Sequence, residues 1–484
     1  MKKIYVNDDF IDSQIIWLLP IIDGYSSRLG INHIIFKSQF SNKILKSKNF
    51  INFSKKYKIE FLSKKRNFFF YLNLFILIIK YITYTKVFFI KKIYQNNFDW
   101  HFSEFIHGYW DYCNVLLKDN LKINFFIKIK SFVICIDRLD FASELIKCNI
   151  HTAFLGHTTY FSKPLMAELR ENKINVFCQA SYNLYYQYQY DDNYWSKISK
   201  IDLKKLKKIN LNKISLNYWS KRSQGKGNYD DANRAFRNGQ LKNSKLEFKN
   251  FIFLHIFKDS PFNIVDNERI FNDYFDWFIE TIKILKDSKE NWLIKLHPSH
   301  VQWGENQRIV INSLLKMNKL SLPSNVFIET NNLSNVEIFK KANRIVTFSG
   351  TAHLEVACNG IKPIIISRTT LYDYIKKSVL KPKNISQYRK FLLLSSKSNF
   401  FKLNKKYILV SKKLLFIREN VLTLKKDLNS FFTYRKDSIK LKNKEFKIVN
   451  ARTLKIYDKL KSLGNFLAFK INKTVSLKYL KFYK

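Results

Sequence analysis

The stretch RIVTFSGTAHLEVACNGIKPIII, residues 344–366, constrains the fold more than any other. RIVTF is a short apolar run that stops at Ser349, Gly350 and Thr351; AHLEVACNG follows as a helix, and IKPIII is a second apolar run. Gly360 suits the left-handed residue after a helix, and Pro363 falls just beyond it. Such a strand–turn–helix–strand unit puts two parallel strands in one sheet. Parallel sheets bury both faces, so helices are expected on each side.

The first turn of that unit has the chemistry of an anion site. Ser349 or Thr351 at the cap satisfies main-chain N–H groups, and Gly350 lets a ligand come close to the backbone. A helix N-terminus favours phosphate. Glu355, about one turn into the helix, is placed to accept hydrogen bonds from the hydroxyls of a ribose. A second element, KLHPSH at residues 295–300, ends an apolar strand with His297 before a proline, which fixes an extended turn. Lys295, two residues earlier, is expected on the same face as His297. An ordinary capped helix and a structural His-Pro turn would each look the same locally; the order and spacing of the two elements favour a nucleotide site.

The surrounding pattern alternates strands with helices. HIIFKS (33–38), SFVICID (131–137), HTAFLGH (151–157) and INVFCQA (174–180) read as strands, KPLMAELRENK (163–173) as a helix, and the N-terminal MKKIYVNDDFIDSQIIWLLPII as a first buried strand. Residues 1–190 are expected to form one Rossmann-like domain. Residues 191–249, rich in Lys, Asn, Ser and Asp, read as an irregular linker whose Arg222, Arg234 and Arg237 are either solvated or turned to a cleft. Residues 250–374 read as a second Rossmann-like domain. Residues 375–484 carry thirty Lys or Arg against five acids, with apolar residues at helical intervals, and read as a basic helical extension. That extension suits either an anionic membrane surface or a cap packed on the domains.

With 484 residues the chain is long enough for two cores, and at 46% hydrophobic it is too apolar for disorder. The net charge of +47 attracts polyanions, although Lys, Asn, Ile, Phe and Tyr are over-used together, as an AT-rich coding sequence would produce. No RNA-reading aromatic motif is present, so no specific nucleic-acid partner is expected. The five cysteines are scattered without C-x-x-C spacing, which fits a reducing compartment and argues against zinc or a disulfide framework. The longest apolar run, FFFYLNLFILII at residues 68–79, is read first as a buried helix and second as a helix lying on a membrane, being short for a span.

Residues 250–374 resemble the capsule polysaccharide biosynthesis family, which includes bacterial Kdo transferases. KLHP at 295–298, FSGTAHLE at 348–355, NGIKPIII at 359–366 and LYDY at 371–374 carry the likeness, and residues 156–177 follow it more loosely. Gly350 and His353 stand where that family is expected to have Thr and a small or apolar residue. The resemblance implies a GT-B fold, two Rossmann-like doubly wound domains facing a cleft, with a nucleotide-sugar donor on the C-terminal one. It implies no metal and no separate cofactor. Neutralisation of the leaving phosphate would pass to Lys295, His297 and the turn at Ser349, Gly350 and Thr351, with a CMP-sugar such as CMP-Kdo the favoured donor.

An acceptor site in the N-terminal domain would need a carboxylate or histidine near the anomeric carbon. Glu104 and Asp111, clustered with His107 and Trp110, and His157 at a strand end are the candidates. The expected partners are the nucleotide-sugar, a glycan or glycolipid acceptor and an anionic membrane surface, in a cytoplasmic protein at the inner face of the cell membrane. Two other readings stay open: a CDP-glycerol-type polyol-phosphate transferase or nucleotide-sugar epimerase of the same fold, and a non-enzymatic basic protein that binds membranes or polyanions.

Overall fold

A computed structural model describes residues 2–84, 125–187 and 206–420, apart from the loops 8–11, 38–44, 63–67, 157–161, 238–247 and 258–269 and shorter gaps, together with residues 458, 461 and 462. The chain is α/β and divides into two compact units, each with its own largely parallel sheet.

The first unit runs β1 (Lys3–Val6), α1 (Asp12–Leu29), β2 (His33–Phe36), α2 (Lys48–Lys56), β3 (Lys58–Phe61), α3 (Phe68–Tyr84), α4 (Phe125–Lys147), β4 (Ile150–Leu155), α5 (Lys163–Glu171), β5 (Asn175–Ala180) and β6 (Asn183–Gln187). The strand order is β3-β2-β1-β4-β5-β6, parallel except for β6. Alternate residues of the central strands serve opposite faces. Ile4, Val6, Ile34 and Phe36 pack with Leu18 and Ile22 of α1 and Phe53 of α2. Tyr5, Ile35, Ala153 and Val176 pack with Leu145 of α4 and Leu165 and Leu169 of α5. The sheet is therefore doubly wound, as expected.

Three local expectations change. The run SFVICID lies inside α4 and is not a strand. Its apolar residues continue a helical period, with Phe132, Ile136, Leu139 and Leu145 buried, and a run of five apolar residues cannot by itself separate strand from helix. The N-terminal strand ends at Val6, and the rest of that apolar segment is α1, which holds Pro20 within it. The run at 68–79 is helical but not buried: Leu74 and Leu77 turn inward while Phe68, Tyr71, Leu72, Phe75, Ile76 and Ile79 are exposed. No described helix is long and apolar enough to cross a membrane.

The second unit takes in residues 204–419. Its elements are α6 (Leu211–Arg222), α7 (Asp230–Arg237), β7 (Asn250–Phe253), α8 (Tyr274–Leu285), β8 (Trp292–Lys295), α9 (Gln307–Met317), β9 (Val326–Ile328), α10 (Asn335–Lys341), β10 (Arg344–Thr347), α11 (Ala352–Cys358), β11 (Ile364–Ile365), α12 (Tyr372–Ile375), α13 (Ile385–Leu393) and α14 (Lys405–Asn420). The strand order is β11-β10-β7-β8-β9, all parallel. Ile252, Ile294 and Val346 face α8, α9 and α13; Phe251, Leu293 and Ile345 face Ile338 of α10 and Val356 of α11.

The expected boundaries shift accordingly. The segment 191–249, expected to be irregular, contains α6 and α7, and α13 and α14 belong to this unit rather than to a separate extension. Polar composition concealed those helices, because they bury a few large residues such as Trp219 and Phe236 instead of a broad apolar stripe. Among the few described residues beyond 420, Lys461 reaches Asp23 of the first unit, Nζ to Oδ2 at 3.3 Å.

Arg344 ties the sheet of the second unit to its helices. It opens β10 fully buried, donating to Asn250 Oδ1 at 3.0 Å, to the Phe391 carbonyl at 3.0 Å, to the Leu394 carbonyl and to Glu290 Oε2 at 2.6 Å. Its guanidinium carbon lies 4.5 Å from the centre of the Trp292 ring. Burial pulls its pKa down to about 10 against the opposing pull of Glu290. Breaking a buried pair leaves the partner uncompensated, so Arg344→Ala is expected to cost about 3–5 kcal/mol in a denaturant titration. Arg344→Lys should recover only part, since an ammonium cannot serve three directions in one plane.

Candidate functional site

In the second unit the chain builds outward from β7 to β8 and β9, then returns to the other side of β7 with β10. The connections therefore diverge between β7 and β10. In open α/β sheets ligands bind beyond the carboxyl ends of the strands at such a switch point.

Three segments leave the sheet there. Phe253 of β7 pairs in register with Lys295 of β8, so His255 and His297 each stand two residues beyond the ladder. Their ring centroids are 5.8 Å apart. On the other side of β7, Gly350 follows β10 with φ +92°, in the region that favours glycine. A Cβ at Gly350 would lie 3.5 Å from His255 Cδ2, so the main chain there comes close to the imidazole.

Gln307, wholly buried at the start of α9, clamps two of these segments. Its Oε1 accepts from the His297 N–H at 2.7 Å, and its Nε2 donates to the His255 carbonyl at 2.8 Å. Tyr274 adds a second hold on His255, its hydroxyl accepting from the main-chain N–H at 2.7 Å. Buried Glu305 accepts from the Phe257 N–H at 3.0 Å, and its own carbonyl meets His300 Nδ1 at 2.8 Å. The two histidines thus sit on braced loops.

The tautomer of His297 follows from its neighbour. The Ser299 N–H donates to Nδ1 at 3.2 Å, so the neutral ring carries its proton on Nε2. Burial, then the nearby His255 and Lys295, hold its pKa well below that of an ordinary imidazole. Neither His255 nor His297 uses Nε2 in a hydrogen bond among the described residues.

The other expected residues are distributed differently. Lys295 does not share an open face with His297. Its ammonium is buried, donating to the Leu333 carbonyl at 2.6 Å and lying 3.6 Å from Glu329, and burial lowers its pKa although Glu329 opposes this. Glu355 is buried too. Its Oε1 accepts from Arg222 at 2.6 and 3.2 Å, and its Oε2 from Asn335 at 3.3 Å, so Arg222 and Asn335 occupy the positions where ribose hydroxyls were expected. Burial raises the pKa of Glu355 against the effect of Arg222. Thr351 caps α11 with its backbone and makes no side-chain capping bond. That helix has seven residues, so its dipole contributes little. Ser349, Glu104, Asp111 and His157 lie outside the described residues.

Two features explain themselves only in three dimensions. His353, unexpected at its position, is buried and its Nδ1 donates to the Gly350 carbonyl at 2.5 Å, which fixes the turn. Arg222 is neither solvated nor cleft-facing: it is wholly buried between Glu355 and Glu419. Burial acts to lower its pKa, but the two carboxylates prevail and raise it. Arg234 and Arg237 bond instead to Ser299 Oγ at 3.2 Å and to the Gly225 carbonyl at 2.9 Å. His255 and Gln307 were missed by sequence reasoning. The available signal was a repeated Leu-His pair, 254–255 and 296–297, just beyond two adjacent strands.

No family model matches the sequence, and no curated protein does. Solved structures with a related fold include the beta-Kdo 2,4-transferase KpsC of Thermosulfurimonas dismutans, 11% identical over 55% of this chain and 79% of that one, with a TM-score of 0.34. The UDP-GlcNAc 2-epimerase of Methanocaldococcus jannaschii, in complex with UDP-GlcNAc and UDP, is 15% identical over 86% of this chain and 99% of its own, with a TM-score of 0.26. The trehalose-6-phosphate synthase OtsA is 11% identical over 87% and 96%, with a TM-score of 0.28. These neighbours are GT-B-like glycosyltransferases and nucleotide-sugar epimerases. The overlaps are shallow, and the functional reading rests on the residues of the chain itself.

Two outcomes test the construction of the site. Gln307→Ala removes both clamping bonds and should lower stability by about 2–4 kcal/mol in chemical denaturation. It should also speed amide exchange at His297. For pH, the folded pKa of His297 lies below the unfolded value, so on acidification the unfolded chain takes up the proton first. Stability is then complete above about pH 6.5 and declines below it. His33 and His151 are lowered in the same direction, so the native chain should lose thermal stability between about pH 7 and pH 5, and His297→Gln should make that loss shallower.

Proposed function

We propose that the switch-point crevice of the second unit binds the phosphate of a nucleotide-sugar, and that the chain is a metal-independent glycosyltransferase. A CMP-sugar such as CMP-Kdo is the favoured donor, and capsule or other surface polysaccharide the product. The observation that carries this reading is the pair of imidazoles, His255 and His297, held in register 5.8 Å apart beside Gly350.

The chemistry is that of leaving-group stabilisation. Glycosyl transfer places negative charge on the departing phosphate. Preorganised N–H donors aimed at that charge lower the barrier, and they cost little reorganisation when held by a braced scaffold. His297 offers Nε2–H in its neutral form, His255 a second ring, and Gly350 the close approach of main chain. Lys295 and Glu355 support the floor rather than touch the donor, and Thr351 completes the turn. Glu104, Asp111 and His157 remain the proposed acceptor-side groups for a glycan or glycolipid.

The test is thermal unfolding with CMP, CDP, UDP and GDP in turn, with and without EDTA. CMP at a hundred times its Kd should stabilise the protein by about 2.7 kcal/mol. EDTA should change nothing. His255→Ala and His297→Ala should each weaken binding by about tenfold or more. Selective protection by UDP would point to an epimerase-type substrate, and by CDP but not CMP to a polyol-phosphate donor. No response to any nucleotide would remove the enzymatic reading.

A further inference from the structure

The helix α3 exposes a continuous apolar stripe. Tyr71 is 57% exposed, Leu72 43%, Phe75 60% and Ile76 39%, and Phe68 at 74% and Ile79 at 43% continue the row. Their spacing of three and four residues keeps all six on one side of the helix. Leu74 and Leu77, on the opposite side, are buried. A contiguous apolar surface of this kind marks an interaction face.

The charge of the sequence in which the helix lies selects the partner. Residues 61–98 contain Lys64, Lys65, Arg66, Lys80, Lys86, Lys91 and Lys92 and no acidic residue. An apolar helical face within a purely basic stretch complements a bilayer whose headgroups are anionic: acyl chains receive the aromatic and aliphatic side chains, and phosphates meet the lysines. The helix has 17 residues with Lys80 inside it, which suits lying in the interface rather than crossing. We infer that α3 is a membrane-docking helix, which inserts Tyr71, Leu72, Phe75 and Ile76 into the surface of an anionic phospholipid bilayer. Membrane contact is thereby assigned to α3 rather than to the basic C-terminal extension. The inference is independent of the donor site, because nucleotide-dependent stabilisation reads one and vesicle binding the other.

The full chain is to be sedimented with vesicles of phosphatidylglycerol and phosphatidylcholine, and with phosphatidylcholine alone. The native protein should sediment with the mixed vesicles. The triple substitution Leu72→Ser, Phe75→Ser, Ile76→Ser should lower that partition by about tenfold or more, with the unfolding midpoint unchanged because the replaced side chains are exposed. Lys64→Gln, Lys65→Gln, Arg66→Gln should weaken binding to the mixed vesicles, and added salt should shrink the difference. A triple variant that sediments like the native chain overturns the inference, and so does one that merely converts a dimer to a monomer, since the stripe would then bind a second copy. Should the triple variant unfold early, F75W decides: quenching of the added emission by lipids brominated in their acyl chains supports insertion, and no quenching overturns it.

Discussion

In a parallel sheet every strand leaves by the same edge, and each return passes over a face. That single constraint organises the second unit. It obliges α8, α9, α10, α11 and α13 to cover the two faces, and it gathers the segments after β7, β8 and β10 at one rim. His255, His297 and Gly350 are distant in sequence, yet the strand order alone makes them neighbours. The side chain of Gln307 then converts neighbouring loops into a fixed pair, because one amide satisfies a donor on one loop and an acceptor on the other.

Beneath the rim lies a layer of buried charge. Lys295 with Glu329, and Arg222 with Glu355 and Glu419, are all nearly inaccessible to water. Burying an ion is costly unless paired and hydrogen-bonded, so each of these groups fixes its partner's position closely. Glu355 joins α11 to α6 through Arg222 and to α10 through Asn335, and Glu419 brings in α14. Arg222 Nη1 has no hydrogen-bond partner among the described residues.

The doubly wound plan was legible because it depends on alternation of apolar runs, which the sequence displays directly from Asn250 to Ile366. The turn at Gly350 and the strand end at His297 were legible for the same reason: glycine and His-Pro punctuate such runs. What the sequence concealed was direction. Lys295 and Glu355 carry the residue types a nucleotide site wants, but Glu329 and Arg222, 34 and 133 positions away, turn them inward, and no local pattern records such pairings. Arg222 in a polar stretch read as surface, because burial there depends on two carboxylates from α11 and α14. The helical run at 68–79 departs the other way: its apolar composition suggested a core, yet among its described residues only Leu74 and Leu77 are buried while Phe68, Tyr71, Leu72, Phe75, Ile76 and Ile79 face out.

The electrostatics of the proposed site work at two ranges. At long range the excess of 47 positive charges draws any polyanion towards the chain, with little selectivity. At contact range burial keeps His297 neutral, so the crevice itself offers donors rather than fixed charge. A phosphate arriving about 4 Å from an imidazole interacts with its protonated form by about 4 kcal/mol per unit charge at an effective dielectric of about 20. That is enough to move a titration by about three pH units. A bound anion therefore raises the proton affinity of the ring that holds it, and a neutral sugar does not.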